Sequence, residues 1–423
     1  MNRRKFLTAT AGALAAANLD NASAQSGAAS VKHIVHLMME NRSFDHLLGW
    51  LPNADGMQAG LQYKDKNGQP QSTHSLSRQW TGCGHPDPDH SYAAGRLEYD
   101  NGLMDGFLQP ADNDLYAIGY YTEQDVPVLA ALARNFTLCD RFFPSILAPT
   151  FPNKIFSLCG QTDRTDDAVT LCKLPTIWDA LKAAGVSHKY YFGNIPFTAL
   201  WGLKYLGISF GFETFLADCA AGTLPSVSFL DPSFTIALNF ANDDHPHSDI
   251  RNGEAFLSAV YQALAASPNW MNTVLVINRD EWGGFFDHVV PPRALAPNNV
   301  DTDLVNGEAL LGCRVPTVIV SPWTVGNPRN PTVNSTVFDH TSVLKMIESV
   351  FGVSPLAARE TSNTVGNVLS VLNLDQAPQP APSIPTAKPV FPQGICTIDG
   401  TSGGGSFQRL VNSGMLKGWP VKL

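Results

Sequence analysis

Apolar positions along the chain gather in short dense runs separated by stretches of helical spacing. Ile34-Val35-His36-Leu37-Met38-Met39 is one such run and Thr273-Val274-Leu275-Val276-Ile277-Asn278 another. Both are short, rich in branched side chains and flanked by polar residues, so each reads as a buried strand of a parallel sheet. Residues 136–140, 190–192, 226–230 and 314–322 read as further strands. Between them, residues 124–135 carry Val126, Leu129, Leu132 and Ala133 at helical spacing, with Asp125 as the expected N-cap. Residues 174–184, 253–265 and 343–350 form further helical patterns, the last opened by Asp339-His340-Thr341-Ser342. The tract 192–225 is rich in glycine and aromatic residues without a clear period. Repeated strand–helix alternation predicts an α/β sandwich.

Composition narrows the class. The chain has 423 residues, 44% hydrophobic and only 15% charged, enough for one large core or two ordinary ones. Its formal charge of −9 is spread without a block of one sign, which argues against a nucleic-acid partner. At the N-terminus Arg3-Arg4-Lys5-Phe6-Leu7 precedes an alanine-rich run and the cleavage-like Ala22-Ser23-Ala24. That layout predicts a twin-arginine signal over residues 1–24, recognition by the twin-arginine export machinery, and a periplasmic or secreted mature protein. No other run is long enough to anchor the mature chain in a bilayer. Residues 25–373 read as the catalytic domain. From 374 to 423 prolines and then glycines dominate, which predicts an extension packed on that same domain. Seven cysteines in an oxidising compartment allow one to three disulfides and leave at least one thiol; Cys159 and Cys172 are the nearest pair in sequence.

Candidate chemistry lies at the strand ends. The run ending at Met39 continues into Glu40-Asn41-Arg42-Ser43-Phe44-Asp45-His46, and the run ending at Asn278 leads to Asp280-Glu281-Trp282-Gly283-Gly284-Phe285-Phe286-Asp287-His288. Ligands of open α/β sheets collect at the carboxyl edge of the strands. Adjacent carboxylates there repel unless a cation or shared proton relieves them, so Glu40, Asn41, Asp280 and Glu281 are candidate ligands of one divalent ion. Thr150 stands between Pro149 and Pro152 in what reads as a rigid turn, a candidate nucleophile, with Asn153 and Lys154 offering donors beyond it. Loops 83–91 and 243–249 are dense in titratable groups. They contribute His90 and His245 as candidate proton donors and His85 and His247 as candidate substrate contacts. The G-x-S-x-G elbow, the Walker loop, H-E-x-x-H and G-x-G-x-x-G are absent, which lowers the serine-hydrolase, nucleotide-binding and zincin readings.

These blocks resemble the phosphoesterase family that groups bacterial phospholipases C, plant non-specific phospholipases C and a bacterial acid phosphatase. The signature E-N-R-S-F-D-H is intact at Glu40 to His46. D-E-x-x-G-x-x-D-H-V runs from Asp280 to Val289, and G-x-R-V-P from Gly312 to Pro316. T-x-P-N-R appears as Thr150-Phe151-Pro152-Asn153-Lys154, with lysine in place of arginine. The resemblance implies a three-layer α/β/α sandwich of alkaline-phosphatase type with a mostly parallel central sheet. It also implies Thr150 as nucleophile and metal ligand, with Glu40, Asn41, Asp280 and Glu281 completing the site of one divalent metal. The expected activity is phospholipase C cleavage of a phosphatidylcholine-like diester through a phosphothreonine. The alternatives are an acid phosphatase acting on small phosphoesters and, more remotely, a secreted binding protein without catalysis. Lysine at position 154 predicts a point-charge contact to phosphate rather than a bidentate grip. Trp201, Tyr205 and Phe210 are expected to border the mouth of the site.

Overall fold

The computed structural model describes residues 30–236, 240–391 and 405–421; the signal expected at 1–24 and Cys396 lie outside them. Eight strands form one sheet: β1 (His33–Met39), β2 (Thr137–Cys139), β3 (His188–Phe192), β4 (Ser209–Gly211), β5 (Val227–Asp231), β6 (Thr273–Arg279), β7 (Thr317–Val320) and β8 (Thr332–Asn334). Their spatial order is β8-β2-β7-β6-β1-β5-β3-β4. All pairings are parallel except those of β7, which runs against both β6 and β2. A parallel neighbour requires a crossover, usually a helix. Between β6 and β7 the chain instead carries the small hairpin Arg293–Leu295 with Glu308–Leu310.

Helices cover both faces of the sheet: α1 (Phe44–Leu48), α2 (Tyr92–Tyr99), α3 (Pro127–Asn135), α4 (Thr150–Cys159), α5 (Ile250–Ala265), α6 (His340–Phe351) and α7 (Ser406–Asn412) are those that matter here. The period of two along β1 sends Ile34 to one face and Val35 and Leu37 to the other. Ile34, Val274 and Val276 join a core with Phe151 and Ile155 of α4, Leu344 and Ile347 of α6, and Phe407 of α7. Val35, Leu37, Leu275 and Ile277 join a second core with Leu129 and Leu132 of α3 and Phe256 and Leu257 of α5. The molecule is therefore the expected three-layer sandwich. Every residue of α4 is buried, so this helix has no solvent face at all.

Two local expectations change. Helix α3 starts at Pro127, a residue suited to the first helical position because it lacks an N–H. Asp125 is therefore too early to cap it and accepts instead from Thr122 and Ser77. The free N–H groups of Val128 and Leu129 donate to buried Glu254, reaching over from α5, at 2.5 and 3.1 Å. Trp201 and Tyr205 pack in the core with Trp178 and Phe197, and their polar atoms bond Leu174 O and Asp179. Trp201 and Tyr205 are interior, because their rings find other rings and their polar tips find buried partners, while Phe210 is half-buried beside the ammonium of Lys189.

The proline-rich segment lies along α5. Tyr261 donates to Pro382 O at 2.5 Å, Ala387 N to Ser258 Oγ at 3.2 Å and Val390 N to Asn252 Oδ1 at 2.7 Å. Cys83 is disulfide-bonded. Cys139, Cys159, Cys172, Cys219 and Cys313 are buried free thiols, so Cys159 and Cys172 are not bridged. No helix among the described residues is long and apolar enough to cross a membrane.

Candidate active site

Parallel register brings the strand ends together. Met39 of β1 pairs with Arg279 of β6, so Glu40 and Asp280 leave the sheet side by side. On the other flank of β1, strand β5 ends in Asp231, which places three acids on neighbouring strand ends. Asn41 turns the chain out of β1 at φ +44°, and its N–H donates to Asp280 Oδ1 at 3.0 Å. Left-handed backbone at a non-glycine residue is costly and collects at functional sites. Gly283 makes the turn fit: a Cβ there would lie 2.3 Å from Asn41 O. Gly284 does the same for the loop carrying His90, since its Cβ would meet Pro88 Cβ at 2.7 Å.

The other signature residues hold these two turns against each other. Ser43 caps α1 and donates to Phe286 O at 2.6 Å. Asp45 accepts from the backbone and ring of His288, and Arg314 bridges Asp45 and Asp287 at 3.2 and 2.7 Å. Asp45, Asp287 and Arg314 are fully buried, and the network braces the two turns, with ligand atoms of Asp45, Asp287 and His288 within 4.8 Å of one another. His340 likewise faces inward, hydrogen-bonded to Asp280 O at 2.7 Å.

Thr150 is the first residue of α4 and not part of a free turn: Pro149 is the N-cap and Pro152 sits in the first turn. Both prolines are tolerated there because the first N–H groups of a helix have no intrahelical partner. The Thr150 hydroxyl lies 3.4 Å from both Glu40 Oε2 and Asn41 Oδ1. A phosphoryl group on it would meet the positive end of the helix dipole. Asp167 accepts from Phe151 N at 2.7 Å and bonds Ser406, which ties the helix start to α7.

Three carboxylate oxygens here, Glu40 Oε1, Asp280 Oδ2 and Glu281 Oε1, are buried without a hydrogen-bond partner. Lys154 Nζ is 3.0 Å from Glu40 Oε1, near enough for charge pairing but not aligned for a hydrogen bond. Burial, and next to it the Asp280 charge, push the Glu40 and Glu281 carboxyls well above the usual carboxylate range. Hard oxygen donors left orphaned and mutually repelling fit a divalent cation.

The remaining predicted residues separate into those at the cleft and those away from it. An open cleft of about 880 Å³ is lined by His90 and His245 together with Asp87, Asp89, Asp112, Asp166, Asp167 and Arg409; Pro149 lines it too, but Thr150 and the acids of the two turns lie behind that lining. His245 is held by Pro246 O at 3.0 Å and points Nε2 to within 3.7 Å of Asp87 Oδ2. Burial lowers its pKa, but the neighbouring Asp87 and Asp243 outweigh this and leave it raised. His85 and His247 do not line the cleft. His85 stacks on Tyr116 and pairs with Asp114 at 2.8 Å, and His247 Nε2 contacts His85 O at 2.9 Å. Asp244 and His247 both take positive φ, which separates His247 from His245 although only one residue lies between them. The Asn153 amide bonds Ile146 N and O, Ala148 O and Pro149 O, holding the loop before α4. Lys154 is also outside the cleft. Only 2% exposed, it sits between Glu40 and Asp231 (3.2 Å), with the rings of Phe197, Phe234 and Phe407 around its ammonium.

Sequence reasoning passed over Asp231 and Asp167, and took Asp87 only as part of the titratable loop 83–91 without a role of its own. Asp231 carried a usable signal, since it ends an apolar run as Glu40 does. Asp167 had none, because its partners are Phe151 and Ser406, the latter 239 residues away.

Among known proteins, non-specific phospholipase C6 of Arabidopsis thaliana is 34% identical over 362 residues, covering 77% of this chain and 68% of that protein. Phospholipase C A of Mycobacterium tuberculosis is 32% identical over 461 aligned positions, covering 89% and 86%. A protein in the alkaline phosphatase superfamily from Vibrio parahaemolyticus matches at a TM-score of 0.37 and 12% identity, covering 80% of this chain and 70% of that one. The model of the phosphoesterase family matches residues 31–354, the span that holds both acidic turns and Thr150, and the chain belongs to that family.

Proposed function

We propose that this phosphoesterase is an exported, metal-dependent phospholipase C. It cleaves phosphatidylcholine-like diesters to diacylglycerol and a phosphorylated head group through a phosphothreonine at Thr150. The observation that carries the reading is the Thr150 hydroxyl at the start of a buried helix, 3.4 Å from Glu40 and Asn41, beside orphaned carboxylate oxygens. Export rests on the twin-arginine pattern of residues 1–24.

Glu40, Asn41, Asp280, Glu281 and Thr150 would hold the ion, which supplies positive charge that lowers the hydroxyl pKa and offsets charge on phosphorus. The Thr150 oxygen, its proton already released to solvent, attacks phosphorus in line, and the bond to the diacylglycerol oxygen breaks. His245, whose pKa Asp87 and Asp243 raise against the effect of burial, gives its proton to the departing alkoxide. Water then attacks the phosphothreonine, His245 takes a proton back, and the phosphorylated head group leaves. The cleft of about 880 Å³ that opens beside Pro149, His90 and His245 is larger than a small monoester needs. Its lining sets five aspartates against one arginine and two histidines, a balance that favours a cationic head group.

Thr150→Ala tests the nucleophile. We expect turnover of phosphatidylcholine to fall by at least three decades, on the order of 4 kcal/mol in barrier, with unchanged circular dichroism. Near-normal turnover removes Thr150 from the mechanism. In the wild type, kcat/KM for phosphatidylcholine above that for nitrophenyl phosphate supports the diesterase; the reverse order installs the acid-phosphatase reading.

A further inference from the structure

We propose that His90 is a positioning residue that fixes which end of the Asn41 amide faces Thr150, rather than a second proton donor. The inference rests on the reading of Asn41 as a metal ligand.

An amide side chain has two ends of similar shape and opposite chemistry, and only the oxygen end can bind a cation. Nothing in a β-strand terminus chooses between them. The choice here comes from the loop above. His90 Nδ1 lies 2.7 Å from Pro88 O. A carbonyl only accepts, so Nδ1 carries the proton, and Nε2 of the neutral ring has only a lone pair to offer. That nitrogen lies 3.1 Å from Asn41 Nδ2. The NH₂ end of Asn41 is thereby drawn toward His90, and Oδ1 is left facing Thr150 at 3.4 Å. The reversed amide would set Oδ1 against the Nε2 lone pair and turn an N–H donor toward the cation.

The ring cannot simply turn to another role. The loop that carries it is pressed onto Gly284, where a Cβ would lie 3.0 Å from Asp89 O, so the His90 backbone is fixed relative to the Asp280 turn. Glu281 Oε1, 3.8 Å from Nε2, is the nearest acid on the other side. Outer groups that orient a ligand in this way typically change metal affinity by about 10- to 100-fold when removed. With His90 engaged by Asn41, His245 is left as the histidine whose Nε2 faces the cleft beside Asp87.

The test is Mn²⁺ affinity of the purified full chain, titrated by electron paramagnetic resonance, which reads the site without turnover. His90→Ala is expected to weaken Mn²⁺ binding by about tenfold or more. In an Asn41→Asp background the ligand has two equivalent oxygens and no end to choose, so adding His90→Ala should change affinity less than twofold. Unchanged affinity in His90→Ala, or the same loss in both backgrounds, overturns the proposal. If the wild type binds Mn²⁺ and Asp280→Asn does not, such a result removes His90 alone and leaves the metal site standing. If the wild type binds no Mn²⁺, both readings fall.

Discussion

Lys154 gives the sharpest energetic prediction, because the structure replaces an expected phosphate contact with a buried ion triad. Its ammonium lies 3.0 Å from Glu40 Oε1 and 3.2 Å from Asp231 Oδ1, and the exposure of all three side chains is 9% or less. Burial lowers the lysine pKa, but Asp231 and Glu40 together more than reverse this, so the group stays charged across the accessible pH range. Lys154→Met keeps most of the packing volume against Phe234 and removes the cation. The buried carboxyls of Glu40 and Asp231 then lose their counter-charge, which costs up to about 3–5 kcal/mol, less what Glu40, already held well above the usual carboxylate range, recovers by taking up a proton. The loss should appear in full in chelator, measured as a shift of the urea midpoint at constant slope. Added Mn²⁺ supplies charge to Glu40 by another route, so the loss should shrink. Combining Lys154→Met with Glu40→Gln should recover part of the stability, because the removed charges are partners. A loss below about 1 kcal/mol in chelator, or a strictly additive double variant, refutes the account of Lys154 as the internal counter-ion.

Two further outcomes are expected. Asp87→Asn should move the basic limb of the kcat–pH profile to lower pH: Asp87 is the largest influence raising the His245 pKa against burial, and the histidine must be protonated to act. An unmoved limb assigns the proton to another group. Trp201→Ala should lower stability by about 3–5 kcal/mol through a core cavity while reducing turnover of lipid and small ester alike, checked by urea unfolding and by both assays. Selective loss of lipid turnover would return Trp201 to the substrate path.

Sequence alone determined the features written in local pattern. Strands β1 and β6 were legible because a buried parallel strand is a short continuous apolar run. The acids at their ends were legible because chemistry in such sheets gathers at the carboxyl edge. Glu40, Asn41, Asp280, Glu281 and Thr150 do converge, although Thr150 and Glu40 are 110 residues apart. Tertiary structure alone decided the direction of β7, the burial of Trp201, and the division of the histidines between cleft and framework. It also decided the fates of two neighbours on α4: the Asn153 amide holds backbone carbonyls, and Lys154 turns inward to Glu40 and Asp231. The physical reason is the same in each case. Periodicity reports which face a residue takes on its own element, whereas the partner of a buried polar group is chosen by what another element brings opposite it. Asp231 and Phe407 come from β5 and the C-terminal helix α7, and no spacing within Thr150 to Lys154 encodes their arrival.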